Sequence, residues 1–487
     1  MKDTHRPVFH FTPPSKWMND PNGLVYFDGE YHLFYQYHPD SDVWGPMHWG
    51  HAVSTDLMHW EHLPIALYPD EHGMIFSGSA VVDVNNTAGF GENALVAAFT
   101  YNRDHKESQN IAYSTDRGRT WTKYAGNPVV SNSQNLRDFR DPKVFWHENC
   151  WVMILAAGNS VLFYRSLDLK RWEFSGSFGN SQYGSTNGVW ETPDLFKLQI
   201  DSTTEARWVL MAGVSKGAPA GGSGTQYFIG DFNGETFISE NPKETILWAD
   251  YGADYYAPQA WNNEPNGRRI LLAWMSNWEY AREVPSDGWR GIFTLPREVL
   301  LTKTDNGLRL KQTPAAEIQA LRGEAFHFEK HNVQPGGNPL EGIQADTFEL
   351  DAKVKVEPST NLFGFRIRKG AGEYTTVGFN TSSREVFIDR RASGIINFND
   401  GFAAIHTAPL DIKETVQLKI FVDRCSVEVF VNDGLTSLSD LIYPSMNGNG
   451  LEFFTEGGNV LLESLSVFQL NMSRQAYSLT KTRIQEM

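Results

Sequence analysis

Ser54-Thr-Asp-Leu-Met-His-Trp60 recurs as Ser114-Thr-Asp-Arg-Gly-Arg-Thr-Trp121 and again as Ser166-Leu-Asp-Leu-Lys-Arg-Trp172. In each copy a Ser and an Asp open the segment and a Trp closes it, a composition suited to a turn between two strands. Each copy follows a run of β-branched and aromatic residues: His32-Leu-Phe-Tyr-Gln-Tyr37, Leu95-Val-Ala-Ala-Phe-Thr-Tyr101 and Trp151-Val-Met-Ile-Leu-Ala156. Two further runs, Trp208-Val-Leu-Met-Ala212 and Ile270-Leu-Leu-Ala-Trp274, lack the turn motif. Aligned on Leu33, Leu95, Val152, Val209 and Leu271, the five runs are 62, 57, 57 and 62 residues apart. Helical signals are scarce. An all-β unit at a near-constant period, unable to bury both of its faces alone, is the signature of a radial repeat. The sequence therefore predicts a five-bladed β-propeller over residues 1–325. A long sandwich with accidentally regular strand spacing is the alternative, and the Ser-x-Asp…Trp recurrence argues against it.

Beyond the repeat, residues 326–344 carry Pro and Gly and read as an interdomain linker. From 345 to 487 the Trp motif is gone. Val427-Glu-Val-Phe-Val431 alternates cleanly and runs into Asn432-Asp-Gly434, a hairpin signal. A β-sandwich domain is the expectation there.

Composition narrows the function. Aromatic residues make up 13% of the 487, which suits both β-structure and stacking on sugars. A net charge of −16 argues against nucleic acid or an anionic membrane as partner. No apolar run is long enough to span a bilayer. Met1-Lys-Asp-Thr-His-Arg6 leads into Pro7 without an apolar signal core, so the expected compartment is the cytoplasm, or the exterior if a signal has been removed. Cys150 and Cys425 are expected as buried free thiols.

A propeller turns the first strand of every blade toward one central channel. Acids precede the strong strand in three of the five units, in Trp17-Met-Asn-Asp20-Pro-Asn-Gly23, Phe139-Arg140-Asp141-Pro142 and Trp190-Glu191-Thr-Pro-Asp194. Asp20 and Asp141 stand directly before proline, which favours an extended conformation. Any one of these acids alone reads equally well as a turn element. Three converging carboxylates in a Trp-rich chain are instead the equipment of a glycosidase: a nucleophile, an acid/base and a holder of substrate hydroxyls.

These three motifs, in this order, resemble the signatures of glycoside hydrolase family 32, which contains invertases, inulinases and levanases. Asp423-Arg-Cys-Ser-Val-Glu-Val-Phe-Val-Asn-Asp-Gly434 resembles that family's sandwich motif, so the likeness covers nearly the whole chain. The resemblance implies a propeller followed by a sandwich, and a retaining β-fructofuranosidase acting on sucrose and fructans without a cofactor. It implies Asp20 as nucleophile, Glu191 as acid/base and Asp141 as holder of fructosyl hydroxyls. In such an enzyme ionised Asp20 keeps a proton on Glu191, and Arg140 keeps Asp141 charged. The resemblance further implies a fructose pocket of Asn19, Gln36, Trp44, Phe76, Ser77, Tyr256 and Trp274, flanked by Trp17 and Arg140 from the motifs. Trp44, Phe76 and Trp274 could equally be propeller core. One departure is Thr192, where the family commonly has Cys; it bears on the pH optimum.

His48-x-x-His51 and His59-x-x-His62 invite a metal reading. Residues three apart on a strand face opposite ways, so no metal site is expected. A fructosyltransferase or an endo-acting fructanase would share the same triad. A non-catalytic sugar-binding propeller would have lost a carboxylate, and none is missing. The stretch from Trp44 to Leu67, followed by Phe76-Ser-Gly-Ser-Ala80, resembles exo-acting levanases and inulinases more than dedicated sucrases.

Overall fold

The computed structural model describes residues 3–410 and 414–472; the expected end of the second domain, residues 473–487, lies outside them. The chain is all-β. Among the described residues the helical element is one 3-10 turn, Ala316–Leu321, and no helix is long and apolar enough to cross a membrane. Five largely antiparallel sheets of four or five strands follow one another in chain order, and two sheets of six and five strands come after them.

The recurring Ser-x-Asp…Trp segments are turns between the third and fourth strands of the first three sheets. The Asp56 carboxylate accepts the N–H groups of Met58 and His59, and the Trp60 indole donates to Leu57 O at 3.0 Å. Asp116 accepts from Thr120 while Trp121 donates to Gly118 O, also at 3.0 Å. Asp168 accepts from Lys170 and Arg171 while Trp172 donates to Leu169 O, again at 3.0 Å. Each turn satisfies its own backbone, which is why so short a motif repeats intact. These residues hold the fold and carry no chemistry.

The five strong runs are the second strands of their sheets. The first strands are Lys16–Phe27, Met74–Asp83, Arg140–His147, Trp190–Gln199 and Tyr256–Ala260. Each touches the first strand of the next sheet, and the fifth touches the first, so the cycle closes. Trp289–Arg290 adds a short parallel pairing to Lys16 and Trp17.

All five first strands share one irregularity. In each, two residues oppose a single residue of the second strand: Asn19 and Asp20, Phe76 and Ser77, Asp141 and Pro142, Thr192 and Pro193, Ala257 and Pro258. Such bulges re-aim side chains at the rims of β-structures. Proline supports them, because it lacks the N–H that a regular ladder would need. Asp141, Thr192 and Ala257 take φ of +64°, +47° and +53°. The extended conformation expected for Asp141 before Pro142 is therefore not adopted; the bulge turns it left-handed.

The expected linker at 326–344 is corrected in its first part. Arg322–Val333 is a strand at the edge of the six-stranded sheet, paired with Val460–Leu470. Phe326 and Phe328 pack against the core of this second region, and the charged residues around them hide the alternation in the sequence. That core is apolar and separate, built from residues such as Phe348, Phe363, Ile420 and Val467.

The two regions meet through buried charge. Arg297 on a strand of the fifth sheet bonds Glu428 and Asp250, and His10 lies between Asp423 at 2.9 Å and Glu428 at 2.8 Å. Backbone bonds from Tyr251 to Ser437 O and from Asp254 to Ser439 O extend the contact. Asp423 and Glu428 come from the sandwich-like sequence motif, so that motif is a docking surface for the first region.

Candidate active site

The five bulges gather the expected residues at one end of the first strands. Asp20 is 9% exposed, and its Oδ2 accepts from Ser77 Oγ at 2.8 Å across a sheet boundary. Beside it, Asn19 accepts from the Trp17 indole at 2.8 Å. Gln36, the single residue opposite the first bulge, gives its amide to Asn22 Oδ1 and Ile75 O, which ties the first sheet to the strand carrying Ser77.

Asp141 accepts at Oδ2 from the backbone N–H of Thr192 at 2.8 Å, and its own N–H donates to Thr100 Oγ1. Glu191 is held from two sides. Arg140 donates to Oε1 at 3.1 Å, and the Tyr256 hydroxyl donates to Oε2. Arg140 also reaches Glu107 and Asp138, both at 2.9 Å. Trp274 and Trp278 stack around Trp17 and Tyr256 with ring centroids 4.7–6.4 Å apart. Trp44 meets Phe76 edge-on at 6.0 Å, and the Arg282 guanidinium lies over the Trp44 ring at 5.9 Å.

Charge follows from these contacts. Burial pushes Asp20 up to about 6, with the charge of Glu191 adding to it and the bonds from Ser77 and Asn19 opposing it. Burial also raises Asp141 well above the usual carboxylate range; Arg140 opposes this while Glu191 and Asp20 add to it. Burial and the Glu191 charge keep the Tyr256 phenol protonated and thus a donor.

Two expectations about charge change. Arg140 was expected to keep Asp141 ionised, yet its guanidinium bonds Glu191, Glu107 and Asp138, and Asp141 is raised. The left-handed backbone at Asp141 separates the directions of the two neighbouring side chains. Thr192 was expected to bear on the pH optimum, its hydroxyl being able to hydrogen-bond near Glu191, but its buried Oγ1 has no partner. Its backbone N–H does the work, on Asp141.

Asp20 Oδ1, Thr192 Oγ1 and Trp274 Nε1 are all buried without a hydrogen-bond partner. A buried unpaired polar group costs about 1–3 kcal/mol. Three of them beside half-buried aromatic faces form a site suited to a polyhydroxylated ligand with an apolar C–H side.

The histidines have local partners instead. His51 bonds His32, His48 bonds Pro46 O, His59 bonds Asp56 and His62 meets the Tyr35 hydroxyl. Among the described residues no group of three or more His, Cys, Asp or Glu is arranged to hold a metal. Cys150 and Cys425 are buried and free.

Sequence reasoning missed Trp278 and Glu107; Asp138, expected only as a turn or supporting residue, joins Glu107 in fixing Arg140. Trp278 follows Trp274 by four residues, a signal that could have drawn attention. The repeated X-Pro of Asp20-Pro21, Asp141-Pro142, Thr192-Pro193 and Ala257-Pro258 would have placed Tyr256 beside the acids without any resemblance.

Residues 10–314 match the glycosyl hydrolases family 32 N-terminal domain and residues 317–469 match the family's C-terminal domain. A levanase of Bacillus subtilis (strain 168) is 50% identical over 480 residues, covering 96% of this chain and 71% of that protein. The crystal structure of an exo-inulinase from Aspergillus awamori superposes with a TM-score of 0.90 at 35% identity, covering 96% of this chain and 99% of the other. A fructofuranosidase from Schwanniomyces occidentalis complexed with fructosylnystose gives 0.88 at 31% identity, over 96% and 98%.

Proposed function

The chain belongs to glycosyl hydrolase family 32 and is a glycoside hydrolase, and from that membership we propose a retaining β-fructofuranosidase that removes terminal fructosyl units from fructans and sucrose. The five sheets whose first strands contact one another in a cycle are read as propeller blades, and the two sheets after them as a sandwich. The observation that carries the reading is the division of labour among three acids on successive bulged strands. Asp20 is held by one hydroxyl, Asp141 by a backbone N–H, and Glu191 by a cation and a phenol.

In this reading ionised Asp20 attacks the anomeric carbon of the terminal fructosyl unit. Glu191 gives its proton to the leaving oxygen, and a covalent fructosyl–enzyme forms. Glu191 then takes a proton from water, which attacks the same carbon and frees Asp20. Glu191 suits the exchanging role because its side chain is 21% exposed while Asp20 and Asp141 are buried. In the resting site burial favours a proton on Asp20 or Asp141, while Arg140 donates to Glu191 Oε1. Substrate hydroxyls donating to Asp141 and Asp20 reverse that preference, because hydrogen bonds to a carboxylate stabilise its ionised form. The proton is then left for Glu191, so binding itself arms the acid.

Two measurements test the proposal. A fructoside with an activated leaving group needs no protonation, so it should rescue Glu191→Gln far better than Asp20→Asn. Equal rescue of both overturns the role assignment. Early products of a levan or inulin digest decide the mode: fructose alone supports exo action, and oligosaccharides appearing first overturn it. Oligosaccharide formation at high sucrose identifies a transferase instead.

A further inference from the structure

The catalytic bulges lie at one end of the first strands, and a cavity of about 400 Å³ opens at the other ends of the second, third and fourth of them, beside Asn262 and Asn263 that follow the fifth. Asp141 and Phe145 are four residues apart on one strand, and Glu191 and Lys197 six apart on the next. At about 3.3 Å per residue the two openings are roughly 13–20 Å apart. A buried polar plug separates them. Lys143 Nζ bonds Asp194 Oδ2 at 2.9 Å and Ala260 O at 2.7 Å, while Asn262 bonds Ala80 O and Val144 O.

The lining of this second opening is unusual for a surface without a task. Trp146 is 44% exposed, yet its ring is fixed by an indole bond to Glu148 O at 3.0 Å and an edge contact to Trp151 at 5.0 Å. Phe145 and Trp208 meet at 6.0 Å beside it. Arg269 sits over Phe196 at 5.4 Å, and its buried Nε has no partner. Exposed Lys197 and Asn263 complete the rim. No Asp or Glu lines the cavity. Fixed aromatic faces, amide and cationic donors and an unpaired buried N–H are what a saccharide needs.

We propose that this cavity is a second, non-catalytic saccharide site, which holds a terminal segment of a fructan chain on the face opposite the catalytic opening. The proposal rests on the fructosidase reading for the identity of the sugar. Its consequence is avidity. An enzyme tethered to a polymer by the far face meets the ends of neighbouring chains at a raised local concentration, whereas a sucrose molecule gains nothing.

The test uses the Asp20→Asn protein, which stops turnover, titrated by calorimetry with an inulin-type fructo-oligosaccharide. Two sites per chain are expected, and adding Trp146→Ala should leave one. In the otherwise native enzyme Trp146→Ala should raise KM for levan or inulin about three-fold or more and leave sucrose hydrolysis unchanged. Lys197→Ala, on an exposed strand position, should weaken polymer binding in the same sense if Trp146→Ala does not fold. One-site binding in both proteins overturns the proposal, and so does displacement of the oligosaccharide by inorganic phosphate, which would mark an anion site. Full activity of Asp20→Asn would instead overturn the catalytic reading, so the two failures are distinguishable.

Discussion

Two clusters of buried charge are built from similar residue types, and they behave in opposite ways. At the junction of the two regions, burial alone would push Asp423 and Glu428 up. The hydrogen bonds and charge of His10 bring both below their ordinary values, with Arg297 acting on Glu428 and backbone N–H groups on Asp423. At the catalytic opening, burial pushes Asp20 and Asp141 up, and the opposing Ser77, Asn19, Arg140 and Thr192 do not bring them back to their ordinary values. The difference is one of supply. The junction sets Arg297 and His10 against Asp423, Glu428 and Asp250, with further donors from Val8, Phe9 and Leu295. The acids of the catalytic opening draw on Arg140, which is already spread over Glu107, Asp138 and Glu191. Full pairing makes a joint; shortage leaves carboxylates whose protons move when a ligand arrives.

Swapping one acid in each cluster separates these roles most strongly. Asp20→Asn should lower kcat by at least about 10³-fold, as loss of a nucleophile does. The same change should stabilise the fold at neutral pH. Because the folded Asp20 pKa is raised to about 6, its stabilisation is full below about 3.8 and is lost as pH rises through about 6. Asparagine carries no such loss, so the variant should gain up to about 3 kcal/mol over the native chain at pH 7, at about 1.4 kcal/mol per pKa unit. Glu428→Gln should do the reverse. It should cost about 3–5 kcal/mol in unfolding free energy, because it strands Arg297 and His10, and leave kcat within about two-fold. Chemical denaturation and sucrose turnover on both variants check this. A destabilised Asp20→Asn, or an inactive Glu428→Gln, would erase the distinction between site and joint.

A smaller effect comes from Ser77→Ala. It removes the one side-chain hydroxyl that opposes the burial of Asp20. A bond to the charged form lowers a carboxylate's pKa, so losing it should move the acidic limb of kcat/KM to higher pH and cost about ten-fold in kcat at neutral pH. An unmoved limb would mean that a different group sets it.

The two clusters were not equally legible in the sequence. The turn motifs were readable because each satisfies its own backbone within seven or eight residues. The three acids were readable because each sits within two residues of a proline, which favours the bulged strand. Asp423 and Glu428 stood out as a motif, but their use did not. Their partners His10 and Arg297 lie 413 and 131 residues away, and only the docked sheets bring them together. Arg140 misled for a related reason. Adjacency in the chain suggested that it serves Asp141, whereas a left-handed φ sends the neighbours apart and Glu107, 33 residues earlier, takes the guanidinium. The strand at Arg322–Val333 was hidden because an edge strand carries its charges outward and its core-packed apolar residues are few: Phe326, Phe328 and Val333.

The smallest predicted effect is at Thr192, and it separates a backbone role from a side-chain one. Thr192 follows Glu191, the proposed acid/base, so a change there invites the expectation of a shifted pH optimum. Yet the atom that touches the triad is its N–H, which bonds Asp141 and survives any substitution except proline. The hydroxyl is buried without a partner, on a β-branched residue at φ +47°, a conformation such residues rarely adopt. Thr192→Cys relieves both the orphaned hydroxyl and the branch while keeping similar bulk. It should raise stability by about 1 kcal/mol and leave both limbs of the pH–rate profile in place. If the limbs move together with KM, the hydroxyl is used by bound substrate. If they move with KM unchanged, the side chain acts on Glu191 directly and the shortage of donors at the catalytic opening is less severe than its geometry indicates.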